Sequence, residues 1–318
     1  MQSEESHISV LLKETLEQLN PQDGKTYLDC TFGAGGHSRA ILESANCRVI
    51  ALDRDIHTKQ YAEELKQEFG DRFIYLNSKF SDLDEALRSI NVSEVDGILF
   101  DIGVSSMQID TPRRGFSFQE EGPLDMRMSD DGLSAEDFIN EAKEEEIAGV
   151  IFRYGDERKS RQIASAIIRE RAKKRITKTT QLANIILSVL GRGKDGIHPA
   201  TRTFQAIRIY INDELDELKI ALKKATQFIK NEGRICVITF HSGEDIIVKN
   251  FFREISGYNS GVSRYLPSLE TQANQHFSEF ELVTRKPILP SDFEIKNNVR
   301  ARSAKLRVLQ RKKMSLIN

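Results

Sequence analysis

The stretch Tyr27-Leu28-Asp29-Cys30-Thr31-Phe32-Gly33-Ala34-Gly35-Gly36-His37 constrains this chain more than any other. A short apolar, β-favouring run ends in an acidic residue. Glycines follow at 33, 35 and 36, and helical spacing begins at Ser38. Strand, glycine-rich turn and helix, in that order, receive a nucleotide-like ligand at the first turn of a doubly wound α/β sheet. Glycine is wanted there because the turn needs φ above zero and because a side chain would keep the ligand from the backbone. Further on, Arg48-Val49-Ile50-Ala51-Leu52 ends at Asp53. A carboxylate at the tip of a second strand can accept hydrogen bonds from both hydroxyls of a ribose.

The turn also discriminates between ligands. A dinucleotide site wants G-x-G-x-x-G/A and a pyrophosphate on the helix N-terminus. Here the third position is Ser38, and Asp29 just ahead of the turn is ill placed for an anion. It suits a cation. S-adenosylmethionine carries a sulfonium, an ammonium and an adenosine but no phosphate, so it is favoured over NAD. The plain alternative is a glycine turn without a ligand, and the independent occurrence of Asp53 weighs against it.

Composition narrows the class without choosing the partner. With 318 residues the chain can bury a large core, and a formal net charge of −2 means that any nucleic-acid surface must be local. Cys30, Cys47 and Cys236 are odd in number and far apart, which argues against disulfides and a zinc site. The histidines show no metal-binding spacing, so no structural metal is expected. No basic-then-apolar leader or membrane-length apolar run is present, and a cytoplasmic protein is expected.

In chain order, Val10–Leu19 is read as an amphipathic helix, and Ile56–Phe69 as another with Asp55 as its cap. Phe73–Leu76 is a third strand. The loop after it carries Phe80, either an adenine contact or a core residue. Val95–Phe100, a fourth strand, delivers Asp101 beside the first turn, where ligands of such sheets gather. The next strand, 234–240, begins some 130 residues later, far beyond an ordinary crossover. Met107–Gly132 reads as a long functional loop, and Ser134 to about Leu190 as wholly helical, with Ser134 capping. The methyltransferase-like core is therefore expected at 1–132 and 200–318, and a helical insert at 133–199. From Phe204 to Ile229 one long helix is expected, stopped by Gly233. Residues 257–279 are expected to be loosely ordered. Phe280–Lys286 and Lys305–Gln310 are expected to close the sheet as an antiparallel pair. A reversed last strand favours a methyltransferase over a dehydrogenase.

Several words then match one family. They include 31–38 (Thr-Phe-Gly-Ala-Gly-Gly-His-Ser), 101–106 (Asp-Ile-Gly-Val-Ser-Ser), 114–118 (Arg-Gly-Phe-Ser-Phe) and 122–128 (Gly-Pro-Leu-Asp-Met-Arg-Met). Further on come 154–157 (Tyr-Gly-Asp-Glu), 198–206 (His-Pro-Ala-Thr-Arg-Thr-Phe-Gln-Ala), 240–242 (Phe-His-Ser) and 303–307 (Ser-Ala-Lys-Leu-Arg). The chain resembles the bacterial ribosomal small-subunit RNA cytosine-N4 methyltransferases, the RsmH or MraW family. The resemblance runs nearly full length and in order. It implies a Rossmann-like class I S-adenosylmethionine-dependent fold with a helical insert. It also implies methyl transfer to the exocyclic N4 amine of a cytidine in 16S rRNA, at the decoding centre. On this sequence the family's cofactor contacts fall on Gly35, Gly36, His37, Asp53, Phe80, Asp101 and Gln108. Two positions depart from the family: Gly243 stands where leucine is usual, and Val299 where proline is usual.

The catalytic candidates are Asp101 and His241. The amine's lone pair is delocalised into the ring, and an acceptor for its N–H would localise that pair. Asp101 either holds the cytosine amine or binds the cofactor's amino end. His241 either lines the same cleft or is a structural histidine after the fifth strand. RNA contact would use local basic groups: Arg113 and Arg114, the run Arg169, Arg171, Lys173, Lys174 and Arg175, and the C-terminal run from Arg300 to Lys313. Two rivals stay open, a methyltransferase of this fold with another substrate and a non-catalytic ribosome-assembly factor. Oligomeric state, monomer or dimer, is not fixed by sequence.

Overall fold

Continuous apolar runs buried on both faces make the central strands of a parallel sheet. The computed structural model, which describes residues 9–191, 198–258 and 278–313, places five of them side by side. These are β1 (Thr26–Asp29), β2 (Arg48–Asp53), β3 (Phe73–Asn77), β4 (Val95–Asp101) and β5 (Ile229–Thr239). With β6 (Phe280–Leu282) and β7 (Lys305–Arg311) the sheet runs β3-β2-β1-β4-β5-β7-β6. Only β7 is reversed, antiparallel to β5 and β6, as the alternation near the C-terminus predicts.

Alternation divides each strand between two helical layers. Ile50, Leu52, Ile98 and Phe100 pack with Leu83 and Leu87 of α4 (Leu83–Ser89). Leu218 and Leu222 of α11 (Glu214–Phe228) join them, with Val248 and Phe252 of α12 (Ser242–Ile255). Val49, Ala51 and Leu99 face the other way, against Leu19 of α1 (Leu12–Leu19), Ile41 and Leu42 of α2 (Gly36–Ser44) and Leu65 of α3 (Lys59–Phe69). Strand order reverses direction between β1 and β4. The turn after β1 and the residues after β4 therefore emerge together at the carboxyl edge, where a ligand can enter between them.

The packing divides into two compact units, 1–103 with 215–318, and 104–214. The second takes in more chain than the helical run 133–199. Its core joins Phe138 of α6 (Ala135–Glu141), Ile147 and Ile151 of α7 (Glu144–Gly155) and Ile163 and Ile167 of α8 (Ser160–Arg171). Leu182 and Ile186 of α9 (Thr179–Leu190) and Phe204 and Ile207 of α10 (Thr201–Ile211) complete it. Phe116, Leu124, Met126 and Met128 belong to that same core. The stretch 107–132 is therefore not the open loop expected: it forms α5 (Ser106–Asp110), a single turn at Pro112–Arg114, and then buried apolar anchors.

Two helix expectations are corrected. The pattern from Phe204 to Ile229 is two helices, because Asn212 leaves the helical path to bond the backbone of the anchored loop. Its Nδ2 donates to Met126 O (2.8 Å) and its Oδ1 accepts from Met128 N (2.8 Å), and Asp213 then turns the chain at φ 51°. Gly233 does not stop a helix, since β5 has already begun at Ile229. It follows Glu232 at φ 66°, and a Cβ on it would fall 2.9 Å from Asp96 O and 2.8 Å from the Ile229 side chain. Glycine serves the close approach of β5 to β4 where their register shifts. The segment expected to be loose, 257–279, lies mostly outside the described residues. Among the described residues no helix is long and apolar enough to cross a membrane.

Candidate active site

The glycine turn is held open by hydrogen bonds that its own sequence supplies. Cys30 N bonds Leu99 O (2.9 Å) and Phe32 N bonds Leu52 O (2.9 Å), tying the turn to the ends of both flanking strands. Gly33 and Gly35 take φ of 55° and 82°, the left-handed region. Gly36 is required differently: a Cβ there would lie 2.1 Å from Ser9 Oγ. At Gly36 the space a side chain would take is filled by the chain itself, at Ser9.

Asp29 closes the turn from behind. It is fully buried; Oδ1 accepts from Thr31 N (3.1 Å) and Oδ2 from Ser38 Oγ (2.7 Å). Ser38, the residue that breaks the dinucleotide pattern, is therefore a working part of this turn. Sequence reasoning read it only as a mismatch. Thr31 was missed as well: its Oγ1 accepts from Asp101 N (2.7 Å) and locks the end of β4 to the turn.

Asp53 stands at the tip of β2. Oδ2 accepts from Gly33 N (2.7 Å) and Oδ1 from Asp55 N (2.8 Å), which leaves each oxygen a further lone pair. Burial pushes its carboxyl up to about 7, against the pull of the two N–H donors. Asp55 caps the turn at Ile56–Thr58 by accepting from His57 N, as expected of it. Asn77 and Ser78 bond Asp53 O, so the loop after β3 is laid beside the β2 tip. Phe80, half-buried, meets Phe100 edge-on with centroids 6.0 Å apart.

His37 and Asp101 face each other across the turn, His37 Nε2 3.4 Å from Asp101 Oδ2. Burial alone would lower the imidazole's pKa. The Asp101 carboxylate beside it, with Asp29 behind, outweighs that and raises it. Among the described residues Asp101 Oδ1 is buried without a hydrogen-bond partner, and the buried His37 imidazole has only its 3.4 Å contact with Asp101 Oδ2 and a weak approach to the Val10 backbone. Buried polar atoms are ordinarily partnered, so these mark where an added donor or acceptor belongs. Burial likewise raises the pKa of Asp29. The ligand that fits brings positive charge and hydroxyl or ammonium donors to Asp53 and Asp101, and S-adenosylmethionine has both. A pyrophosphate would face carboxylates at each of these positions.

Other expected residues have local duties. Gln108, in the second unit, forms a reciprocal cap with Ser105: Ser105 N donates to its Oε1 (3.1 Å), and Gln108 N donates to Ser105 Oγ (3.3 Å). His241 caps α12. Its Nδ1 accepts from Gly243 N (3.2 Å) and Glu244 N (3.4 Å), and its Nε2 lies 3.0 Å from Glu244 Oε1. Glu244 Oε2 returns the contact to Phe240 N (2.8 Å). A Cβ on Gly243 would come within 3.1 Å of that imidazole, so the leucine usual there would crowd the cap.

The basic groups divide sharply. Arg114 donates to Arg127 O and Met128 O, holding the anchored loop. Arg171 Nη1 donates to Ile139 O and Ala142 O (2.8 Å each) and closes the end of α6. Arg175 is paired with Glu136 and Asp137, and Lys173 with Glu170. At the C-terminus Arg307 and Lys305 share Asp245, and Arg311 is paired with Glu279.

The chain is similar to known proteins over nearly its whole length. Residues 4–312 match the MraW methylase family. A ribosomal RNA small subunit methyltransferase H of Rickettsia conorii is 51% identical over 303 residues, 95% of this chain and 97% of that one. Its counterpart in Rickettsia felis is 49% identical over 307 residues, 96% and 99% of the two chains. Among solved structures, an rRNA methylase from Streptococcus thermophilus overlays with a TM-score of 0.43 and 9% identity, covering 97% of this chain and 100% of that one.

Proposed function

This chain belongs to the MraW methylase family, and from that membership we propose that it methylates the exocyclic N4 amine of a cytidine in 16S rRNA, at the decoding centre of the small ribosomal subunit. S-adenosylmethionine supplies the methyl on a sulfonium that leaves as a neutral thioether. The observation that carries the reading is the convergence of Asp53 and Asp101, with buried unspent acceptor capacity, at the glycine turn beside His37.

Each residue then has a physical task. Gly35 and Gly36 keep the turn close and free of side chains. Asp53 accepts from the ribose hydroxyls, and Phe80 offers an apolar wall beside the β3 loop for the base. Asp101 Oδ1 receives an N–H, that of the cofactor's ammonium or that of the cytosine amine. An acceptor at the amine would localise its lone pair and stabilise the charge that develops as the C–S bond breaks and the N–C bond forms. His37, held against Asp101 and favoured in its charged form, would supply positive charge for the cofactor's carboxylate. Gln108 is assigned to the cofactor by the family pattern. His241 serves by fixing α12 after β5. The helical unit recognises the RNA.

The test is transfer of labelled methyl to small subunits lacking the mark, followed by mapping of the modified base. Label on one 16S cytidine is expected. Label on protein alone, or no turnover beyond one equivalent of S-adenosylhomocysteine per chain, overturns the reading.

A further inference from the structure

Two arginines of α8 have been spared the internal duties of their neighbours. Arg161 and Arg169 are exposed and form no ion pair or hydrogen bond among the described residues. They stand with Ser165 at steps of four along one line of the helix, the arginine Cα atoms about 12 Å apart along its axis. With Gln162, and with Val189 of α9 as a low apolar wall, they line an open groove of about 420 Å³. No carboxylate is among its lining residues. Its charge complements an anionic strand, with two planar forks at the ends and neutral hydrogen-bonding groups between.

We propose that this groove holds the RNA backbone, Arg161 and Arg169 each taking one phosphate of the same strand. Gln162 and Ser165 meet the phosphate or ribose oxygens between them. The proposal rests on the reading that the substrate is rRNA and gives that substrate a place on the helical unit. Guanidinium forks match phosphate oxygens two at a time. Contacts of this kind set affinity and its salt dependence and carry no base preference. Within the basic run 169–175, Arg171 is thus bonded to backbone carbonyls and Lys173 and Arg175 are held in exposed ion pairs, while Arg169 is left for RNA.

The full-length protein and its R161Q/R169Q variant are compared on small subunits lacking the methyl mark and on naked 16S rRNA. The Michaelis constant for subunits is expected to rise ten- to hundredfold in the variant. The slope of log affinity against log salt should shrink by about 1.4, two phosphates at about 0.7 each for a single strand. The turnover number at saturating subunit and the calorimetric S-adenosylmethionine affinity should stay unchanged. R161K/R169K should retain the salt slope, and Ser165→Glu, which leaves both arginines in place, should raise the Michaelis constant by repulsion. Neutralising Lys13 and Lys219 should do neither. An R161Q/R169Q protein with wild-type salt slope and Michaelis constant overturns the proposal. So does a loss seen with subunits and not with naked rRNA, which would put a ribosomal protein in the groove. If the wild-type enzyme itself methylates no subunit RNA, the functional reading fails instead, and the two failures are distinct.

Discussion

The carboxylates at the edge of the sheet are far apart in sequence and are brought together by folding, whereas the basic run 169–175 at the end of α8 is contiguous in sequence, and the structure treats the two oppositely. Asp53 and Asp101 keep acceptor capacity after every internal hydrogen bond is made. Arg171, Lys173 and Arg175 spend theirs on carbonyls and carboxylates of their own unit. Clustered charge thus marks a binding site only where folding leaves it unsatisfied, and partners, not spacing, decide that. The comparison breaks if the unspent groups prove dispensable or the spent ones prove to bind ligand.

Asp101→Ala carries the largest expected effect. Removing a carboxylate at the switch point whose Oδ1 has no donor among the described residues should lower kcat/KM by about 10²- to 10³-fold, the range for losing a pre-aimed charge-stabilising group. Single-turnover rates at saturating cofactor separate the two N–H groups that Asp101 could receive. A slow chemical step assigns it to the cytosine amine. An unchanged step with weakened cofactor affinity assigns it to the ammonium. Full activity with unchanged affinity would remove it from the site and break the comparison at its strongest point.

Asp53 gives a pH signature. Its folded carboxyl titrates near 7, above the ordinary range, so this group favours the fold when protonated, and its stabilisation fades as pH rises through about 7. Ribose hydroxyls need an ionised acceptor, so cofactor affinity runs the other way. Calorimetry should show S-adenosylmethionine binding about tenfold tighter per pH unit up to about 7 and level above it. Asp53→Asn should weaken binding at pH 8 and flatten the profile. A flat wild-type profile between pH 6 and 8 would show that Asp53 does not receive the ribose.

Much of this was legible in advance because it lies in short-range pattern. The sheet and its reversed last strand follow from apolar runs and alternation. Asp29, Asp53 and Asp101 follow from being acidic residues at strand ends. Long-range partners were not legible. Nothing local reveals that Asn212 will cap the backbone at Met126 and Met128, so a single helix was expected where two exist. Gly233 looked like a helix stop, because the Asp96 carbonyl that forbids its side chain comes from another strand. Ser38 counted as a failed glycine, although its hydroxyl holds Asp29. In the long loop, Met126 and Met128 are buried anchors of the second core, and nothing in the local pattern of the loop shows which core they enter.

Arg171→Ala tests the spent side of the comparison. Two hydrogen bonds from a charged group to the last carbonyls of α6 should be worth roughly 1.5–3 kcal/mol together. The expected result is a lower Tm with an unchanged salt slope for RNA binding. A changed slope at constant stability would return Arg171 to the RNA surface and blur the contrast with Arg161 and Arg169.

The smallest effect probes a region of intermediate kind, the C-terminal run, where Arg307 and Arg311 are committed and Arg302 forms no ion pair or hydrogen bond among the described residues. Val299 is the first residue of the helical turn Val299–Ser303, and the Asn298 side chain caps that turn by accepting from Arg300 N (3.1 Å). A first-turn N–H has no helical acceptor, which is why proline is welcome there. Asn298 is already extended, at φ −136° and ψ 93°, as a residue before proline should be. Val299→Pro should therefore stabilise the protein by about 0.4–1 kcal/mol, chiefly by restricting the unfolded chain. If this turn only supports β7, methyl transfer will not change. A gain in stability with a loss of transfer would mean that the turn must move during turnover, and that Arg302 belongs with the unspent charges.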